Sequence, residues 1–225
     1  MDAVMKIGGS LTKDPERLKA LCVKLSEFAK KKAVTVVPGG GKFADVVRDL
    51  DQRFGLSSGI SHRMAILGMD QFGLLLSQLI PNSCATYVLR DAMQFSETGV
   101  VPVFLPSRLM FKEDPLENSW YVTSDSITAY IASRLHAAKV VLVTDVDGIF
   151  TKDPGRHGDA VLIERLSVEE LLKLNARTSV DRFLPKLLLE APVDCYVVNG
   201  NHPERIEAIL AGQQATCTLI AAGNE

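Results

Sequence analysis

Short runs of β-branched and apolar residues alternate with longer stretches of helical periodicity, and this alternation constrains the fold more than any other feature. Residues 3–7, 33–37, 86–89, 100–105, 139–144, 193–198 and 216–220 read as strands. Between them, 15–31, 42–54, 61–79, 167–175, 180–190 and 203–211 read as helices. Leu18, Leu21, Leu25 and Phe28 fall on one face of the first helix. A further helix begins near Ser124 and Asp125, both suited to cap it, and buries Ile127, Ile131 and Leu135. The 139–144 run is apolar without alternation, as a strand covered on both faces must be. Such a pattern predicts an α/β fold with a mostly parallel sheet between helix layers. Ligands then bind at the carboxyl ends of the strands. No repeat, low-complexity tract or linker interrupts the rhythm, and 225 residues suffice for one domain with its own core.

Charge and cysteine usage exclude several function classes. Lys+Arg is 25 and Asp+Glu is 27, a formal net charge of −2, so nucleic acid and anionic membrane are not expected partners. Cys22, Cys84, Cys195 and Cys217 are too scattered for a C-x-x-C metal or redox site. They read as buried thiols in a reducing, cytoplasmic compartment. The N-terminal Met-Asp-Ala-Val-Met-Lys lacks a basic region followed by an apolar run, so no signal peptide is expected. The apolar stretches at 72–80 and 140–143 are far shorter than a membrane span.

Two glycine loops carry the first chemistry. Lys6-Ile7-Gly8-Gly9-Ser10 closes the first strand, where glycines let backbone N–H groups face an anion and the next helix adds its positive end. A tight strand–helix turn with a solvated lysine explains the same residues. Gly39-Gly40-Gly41 closes the second strand, and three glycines cost more entropy than one turn requires, so a ligand against the backbone is the better reason. Gly39-x-Gly41-x-x-Ala44 fits a relaxed dinucleotide fingerprint, but Ser57-Ser58-Gly59-Ile60-Ser61 supplies no acid for a ribose. A Walker A loop fails because Phe43 stands where Ser or Thr is needed.

Thr144-Asp145-Val146-Asp147-Gly148-Ile149 runs into Thr151-Lys152-Asp153-Pro154. A calcium loop is excluded, since Phe150 and Arg156 replace its required Gly and Glu. The two aspartates could bind a ribose or a base, order basic residues, or cap a turn. Thr123-Ser124-Asp125-Ser126 is either a helix cap or a carboxylate that holds lysines. Lys186, in Phe183-Leu184-Pro185-Lys186-Leu187, would by itself be a lysine extending to water.

Taken in order, with Val198-Asn199-Gly200 added, these motifs resemble the amino acid kinase superfamily, from Lys6 to Gly200. The resemblance implies a three-layer αβα sandwich around a mainly parallel sheet. It implies an acceptor-binding half at about 1–120 and an ATP-binding half at about 121–225. Lys6 and Lys186 look like the lysines that neutralise the transferring phosphoryl group, and Asp125 like the carboxylate that orients them. Gly8, Gly9 and Ser10 look like ATP-phosphate contacts, with Asp145, Asp147, Gly148, Lys152, Asp153 and Pro154 as the nucleotide segment. Gly39, Gly40 and Gly41 look like the acceptor loop. Mg²⁺ would arrive on ATP, with no metal site in the protein, and a homo-oligomer is expected. One departure is Ser179-Val180-Asp181-Arg182, where many members have Gly-Gly before the second lysine.

The acceptor is expected to meet His62 and Arg63, adjacent at a helix start and suited to a phosphate or carboxylate, and Asp70, suited to an amine. A solvated pair and a surface aspartate explain them as well. The run His62-Arg63-Met64-Ala65-Ile66-Leu67-Gly68-Met69-Asp70-Gln71 looks most like the branch that phosphorylates 5-(aminomethyl)-3-furanmethanol phosphate in methanofuran biosynthesis. Another small phosphate or carboxylate acceptor (isopentenyl phosphate, UMP or an amino acid) is the alternative within the superfamily. A non-catalytic nucleotide or oxyanion binder is the alternative outside catalysis.

Overall fold

A computed structural model describes residues 1–174 and 179–222. Strand β1 (Ala3–Ile7) leads through a 3₁₀ turn into α1 (Pro15–Ala29). Asp14 caps α1 by accepting from the Arg17 N–H, and Pro15 occupies the first turn, where its missing N–H costs nothing. Then follow β2 (Val34–Pro38), α2 (Gly41–Phe54), α3 (Ser58–Leu79), β3 (Ser83–Thr86), α4 (Leu89–Glu97), β4 (Val101–Phe104) and α5 (Ser107–Glu113). The rest comprises α6 (Ser124–Arg134), β5 (Lys139–Thr144), β6 (Ile149–Phe150), β7 (Leu162–Ile163), β8 (Arg165–Ser167), α7 (Val168–Lys173), α8 (Leu184–Glu190), β9 (Asp194–Asn199), α9 (Pro203–Ala211) and β10 (Thr218–Ala221).

The main sheet has eight strands in the order β3-β4-β2-β1-β5-β9-β10-β8. Every pairing in it is parallel except β9 with β10. Every residue of β1, β2 and β4 is buried, as their largely apolar runs require, with Lys6 and Thr35 the polar exceptions. One core layer packs Val4, Val37, Ile127, Ile131 and Leu142 against α6, and the other packs Met5, Leu21, Leu25, Val36 and Val141 against α1. This is the expected αβα architecture. Among the described residues, no helix is long and apolar enough to cross a membrane.

Four local expectations need correction. Residues 86–89 do not form a strand: β3 ends at Thr86, whose Oγ1 accepts from the Val88 N–H, and α4 begins at Leu89. Neither Ser124 nor Asp125 caps α6. Thr123 holds the extended cap position, and the carboxylate of Asp181 accepts from the Thr123 and Ser126 N–H groups instead. The helix expected at 180–190 starts only at Leu184, because Asp181 Oδ1 accepts from the Phe183 and Leu184 N–H groups and so holds the chain outside the helix. The helix expected at 167–175 spans Val168–Lys173 behind a Ser167–Glu170 capping box. Its expected last residue, Asn175, lies outside the described residues.

Candidate active site

The glycine loops after β1 and β2 meet at the centre of the sheet. Gly39 N–H donates to the Ile7 carbonyl at 2.8 Å, and Gly8 N–H donates to the Val143 carbonyl at 2.8 Å. Between them the backbones touch: a Cβ on Gly9 would fall 2.0 Å from the Gly41 Cα. Gly41 itself has φ +52°, a conformation that side chains resist. Glycine is thus required by contact as well as by turn geometry. The two loops form the floor of a cavity of about 410 Å³ that Gly8, Gly9, Ser10 and all three of Gly39, Gly40 and Gly41 line.

Lys6 also lines this cavity. Its backbone is locked in β1 between Val37 and Leu142, and the residue is 7% exposed. A buried ammonium needs a partner. Asp125, from the first turn of α6, supplies it at 2.8 Å through Oδ1. Asp125 Oδ2 accepts from the Asp181 N–H at 3.1 Å. The chain therefore fixes one cation at the junction of two backbone-donor loops.

Asp181 ties this pair to the next element. Its Oδ2 accepts from Thr123 N, Thr123 Oγ1 and Ser126 N, each at 2.9 Å. Its Oδ1 accepts from Ser126 Oγ at 2.5 Å, Phe183 N at 3.1 Å and Leu184 N at 2.9 Å. Burial and the neighbouring Asp125 charge push its carboxyl up, and the donors oppose them. One carboxylate thereby joins the start of α6, which carries Asp125, to the start of α8, which carries Lys186. The Lys186 ammonium lies 5.0 Å from the Phe183 ring centroid, on an exposed residue that does not line the cavity.

The expected nucleotide segment divides. Asp145 pairs with Lys13 at 3.0 Å; burial raises its carboxyl, but bonds from Lys13 and Ser10 outweigh that and hold it low. Asp147 accepts from Asn199 at 3.0 Å and Arg205 at 2.7 Å, and these likewise outweigh burial. Both aspartates thus order basic or polar neighbours, one of the roles considered for them. Gly148 lets the loop pass β10, since a Cβ there would fall 2.4 Å from Thr218 Oγ1. Lys152, Asp153 and Pro154 are exposed between β6 and β7. Lys152 pairs with Asp159 at 2.5 Å, and Asp153 accepts from the Gly155 N–H at 2.9 Å.

The expected acceptor residues also divide. His62 is buried, lines the cavity, and is held below the usual imidazole range by burial, against Asp114 and a Ser119 backbone bond. Arg63 is exposed over the Phe111 ring at 5.6 Å and does not line the cavity. Asp70 is buried away from the cavity, accepting from the Ser107 N–H at 3.2 Å where α5 begins. The expectation that Asp70 meets an acceptor amine is thus corrected: its carboxylate serves a helix start. The cavity carboxylate is Asp45, on α2 with Lys42 and Arg48. Lys13, Lys42, Asp45, Arg48 and Trp120 line the cavity and went unnoticed in the sequence. The i, i+3 spacing of Lys42, Asp45 and Arg48 was the available signal for the α2 residues.

Among the described residues, no three His, Cys, Asp or Glu side chains cluster to hold a metal ion. The cavity's lysines and backbone donors suit phosphate oxygens.

A family model described as "Amino acid kinase family" matches residues 1–191. The chain is 38% identical over 219 residues to [5-(aminomethyl)furan-3-yl]methyl phosphate kinase of Methanocaldococcus jannaschii, covering 96% of each chain. It is 28% identical to a uridylate kinase of Thermofilum pendens, covering 98% of this chain and 97% of that one. Among solved structures, the uridylate kinase of Archaeoglobus fulgidus superposes with a TM-score of 0.77 at 24% identity, over 98% of this chain and 100% of that one. The UMP kinase of Bacillus anthracis gives 0.79 at 19% identity, over 99% and 96%. At such identities these two structures speak for the fold alone.

Proposed function

The chain belongs to the amino acid kinase family, and from that premise we propose that it transfers the γ-phosphoryl group of ATP to [5-(aminomethyl)furan-3-yl]methyl phosphate, giving the diphosphate and ADP. The observation that carries the phosphotransfer reading is the buried Lys6–Asp125 pair at the meeting of two glycine loops. The near full-length similarity to the furan phosphate kinase carries the choice of acceptor.

The residues act by placing charge. A phosphomonoester has a second pKa of about 6 and is largely dianionic at neutral pH, so its oxygen attacks without a general base. A new bond forms between that oxygen and the γ-phosphorus. The bond from the γ-phosphorus to the β,γ-bridging oxygen breaks, and ADP leaves with the electron pair. What the protein must supply is in-line positioning and charge stabilisation. Gly39, Gly40 and Gly41 hold the acceptor phosphate, with His62 beside it as a neutral donor. Gly8, Gly9 and Ser10 hold the ATP phosphates. Lys6, kept in place by Asp125, meets the transferring phosphoryl group. Lys186 leaves Phe183 to supply the second positive charge when ATP is bound. Asp145 and Asp147 order the nucleotide side, and Gly148, Lys152, Asp153 and Pro154 complete it. Mg²⁺, entering on ATP, supplies further neutralisation of phosphate charge. Apart from Lys6 and the Gly8-Gly9-Ser10 loop, residues up to about 120 serve the acceptor and those from about 121 serve ATP.

We read the protein as a cytoplasmic homo-oligomer. Four free thiols support a reducing compartment, and α2 and α3 leave Val46, Phe54, Ile60 and Leu67 exposed. Light scattering after size exclusion measures the oligomer directly. The function itself is tested by ADP formation from Mg-ATP with the furan phosphate, with and without Lys6→Ala. Turnover that Lys6→Ala abolishes is expected, and equal turnover in the two proteins would remove Lys6 from the chemistry.

A further inference from the structure

We infer that Trp120 is the wall against which the acceptor's ring lies, and that Arg48 and Asp51 hold it in that position. The inference rests on the acceptor reading above and extends it to a specificity-determining residue.

The chain has a single tryptophan. It stands in the connection between α5 and α6, where no strand or helix fixes it. Helix α2 fixes it instead. Asp51 Oδ2 accepts from the indole Nε1–H at 2.6 Å, and the Arg48 guanidinium lies 4.9 Å from the ring centroid. Arg48 is itself braced by Asp45 at 2.8 Å. An indole with its polar edge satisfied and a cation over its ring is oriented before any ligand arrives. The surface left to it lines the same cavity as the glycine loops.

The lining of the cavity is mixed. Ile66, Met69, Val122 and Ile127 contribute apolar surface to it, and Lys42 and the glycine loops contribute a cation and backbone donors. That mixture suits a small molecule that carries both an anionic group and a planar aromatic body. Ring–ring packing rewards such a body beyond the area it buries. A flexible aliphatic phosphate gains the burial only. Trp120 thereby favours a heteroaromatic methyl phosphate over an alkenyl phosphate of similar size. The worth of one ring pair corresponds to roughly a 2- to 10-fold change in affinity.

The lone tryptophan is also its own reporter. Wild-type protein, excited where tyrosine does not absorb, is titrated with the furan phosphate in the absence of ATP. Saturable quenching is expected, with a smaller response to isopentenyl phosphate. Trp120→Leu should raise the KM for the furan phosphate by about tenfold and leave the ATP KM within about twofold. Trp120→Phe keeps a ring and should recover most of the loss. Equal KM increases in the Leu and Phe variants would overturn ring packing. Turnover of the furan phosphate with silent tryptophan fluorescence would overturn the inference alone. No turnover of the furan phosphate by wild-type protein would bring down the acceptor reading and this inference with it.

Discussion

Asp181→Asn is the substitution whose cost follows most directly from the geometry. The carboxylate takes six hydrogen bonds, three on each oxygen. An amide of the same shape keeps one oxygen and turns an –NH₂ toward the donors of the other. Each oxygen faces two backbone N–H groups and one hydroxyl. The hydroxyl can rotate and accept, but the two N–H groups lose their acceptor. Left unsatisfied, each costs about 1–3 kcal/mol. Relief of the repulsion between Asp181 and Asp125 offsets part of this. A net loss of about 2–4 kcal/mol is expected. For a domain of this size that lowers Tm by roughly 5–15 °C. The assay is thermal unfolding by circular dichroism, with kcat measured well below the lowered Tm. Because the starts of α6 and α8 are released from each other, kcat should fall while both KM values change little. A Tm change under about 2 °C would refute the claim that this carboxylate holds two helix ends together.

Three further expectations are independent of that one. Lys186→Ala should collapse turnover while the protein stays folded and still binds ATP; unchanged turnover in a coupled ADP assay would take Lys186 out of the mechanism. Gly9→Ala places a methyl against the Gly41 backbone, so it should destabilise by about 1–3 kcal/mol and weaken turnover together, and an unchanged melting curve would contradict the close loop contact. Burial holds the His62 imidazole below its ordinary value of about 6.5, so the unfolded chain takes up a proton that the folded chain refuses. Stability should therefore fall as pH drops through and below about 6.5, and His62→Gln should flatten that slope in Tm against pH; an identical slope in both proteins would count against the buried neutral imidazole.

Much of the fold was legible because local signals and tertiary demand agree. The apolar runs at 3–7 and 139–144 could only be covered strands, and they lie side by side at the centre of the sheet. Glycine loops at strand ends could be read for the same reason, since three glycines together make sense only where something approaches the backbone. Residues 86–89 misled because Thr-Tyr-Val-Leu has strand composition, while the deciding event is a side-chain bond from Val88 N–H to Thr86 that turns the chain. The lysine–carboxylate pairing of Lys6 with Asp125 was anticipated through family resemblance, and spacing alone carried no such information. Asp181 was visible only as a departure from a glycine pattern. Its six bonds join segments far apart in sequence, which no local signal announces. Asp70 was misplaced for a related reason: it is the one carboxylate of α3, and only the position of the α5 start decides what it serves.

The central claim is tested most directly by ADP release from Mg-ATP across an acceptor panel. The panel holds [5-(aminomethyl)furan-3-yl]methyl phosphate, isopentenyl phosphate, UMP, aspartate, N-acetylglutamate and a blank. The account predicts strong turnover with the furan phosphate and little with the rest. Turnover confined to another acceptor would contradict the assigned substrate, and ATP binding without ADP release from any of them would contradict the kinase.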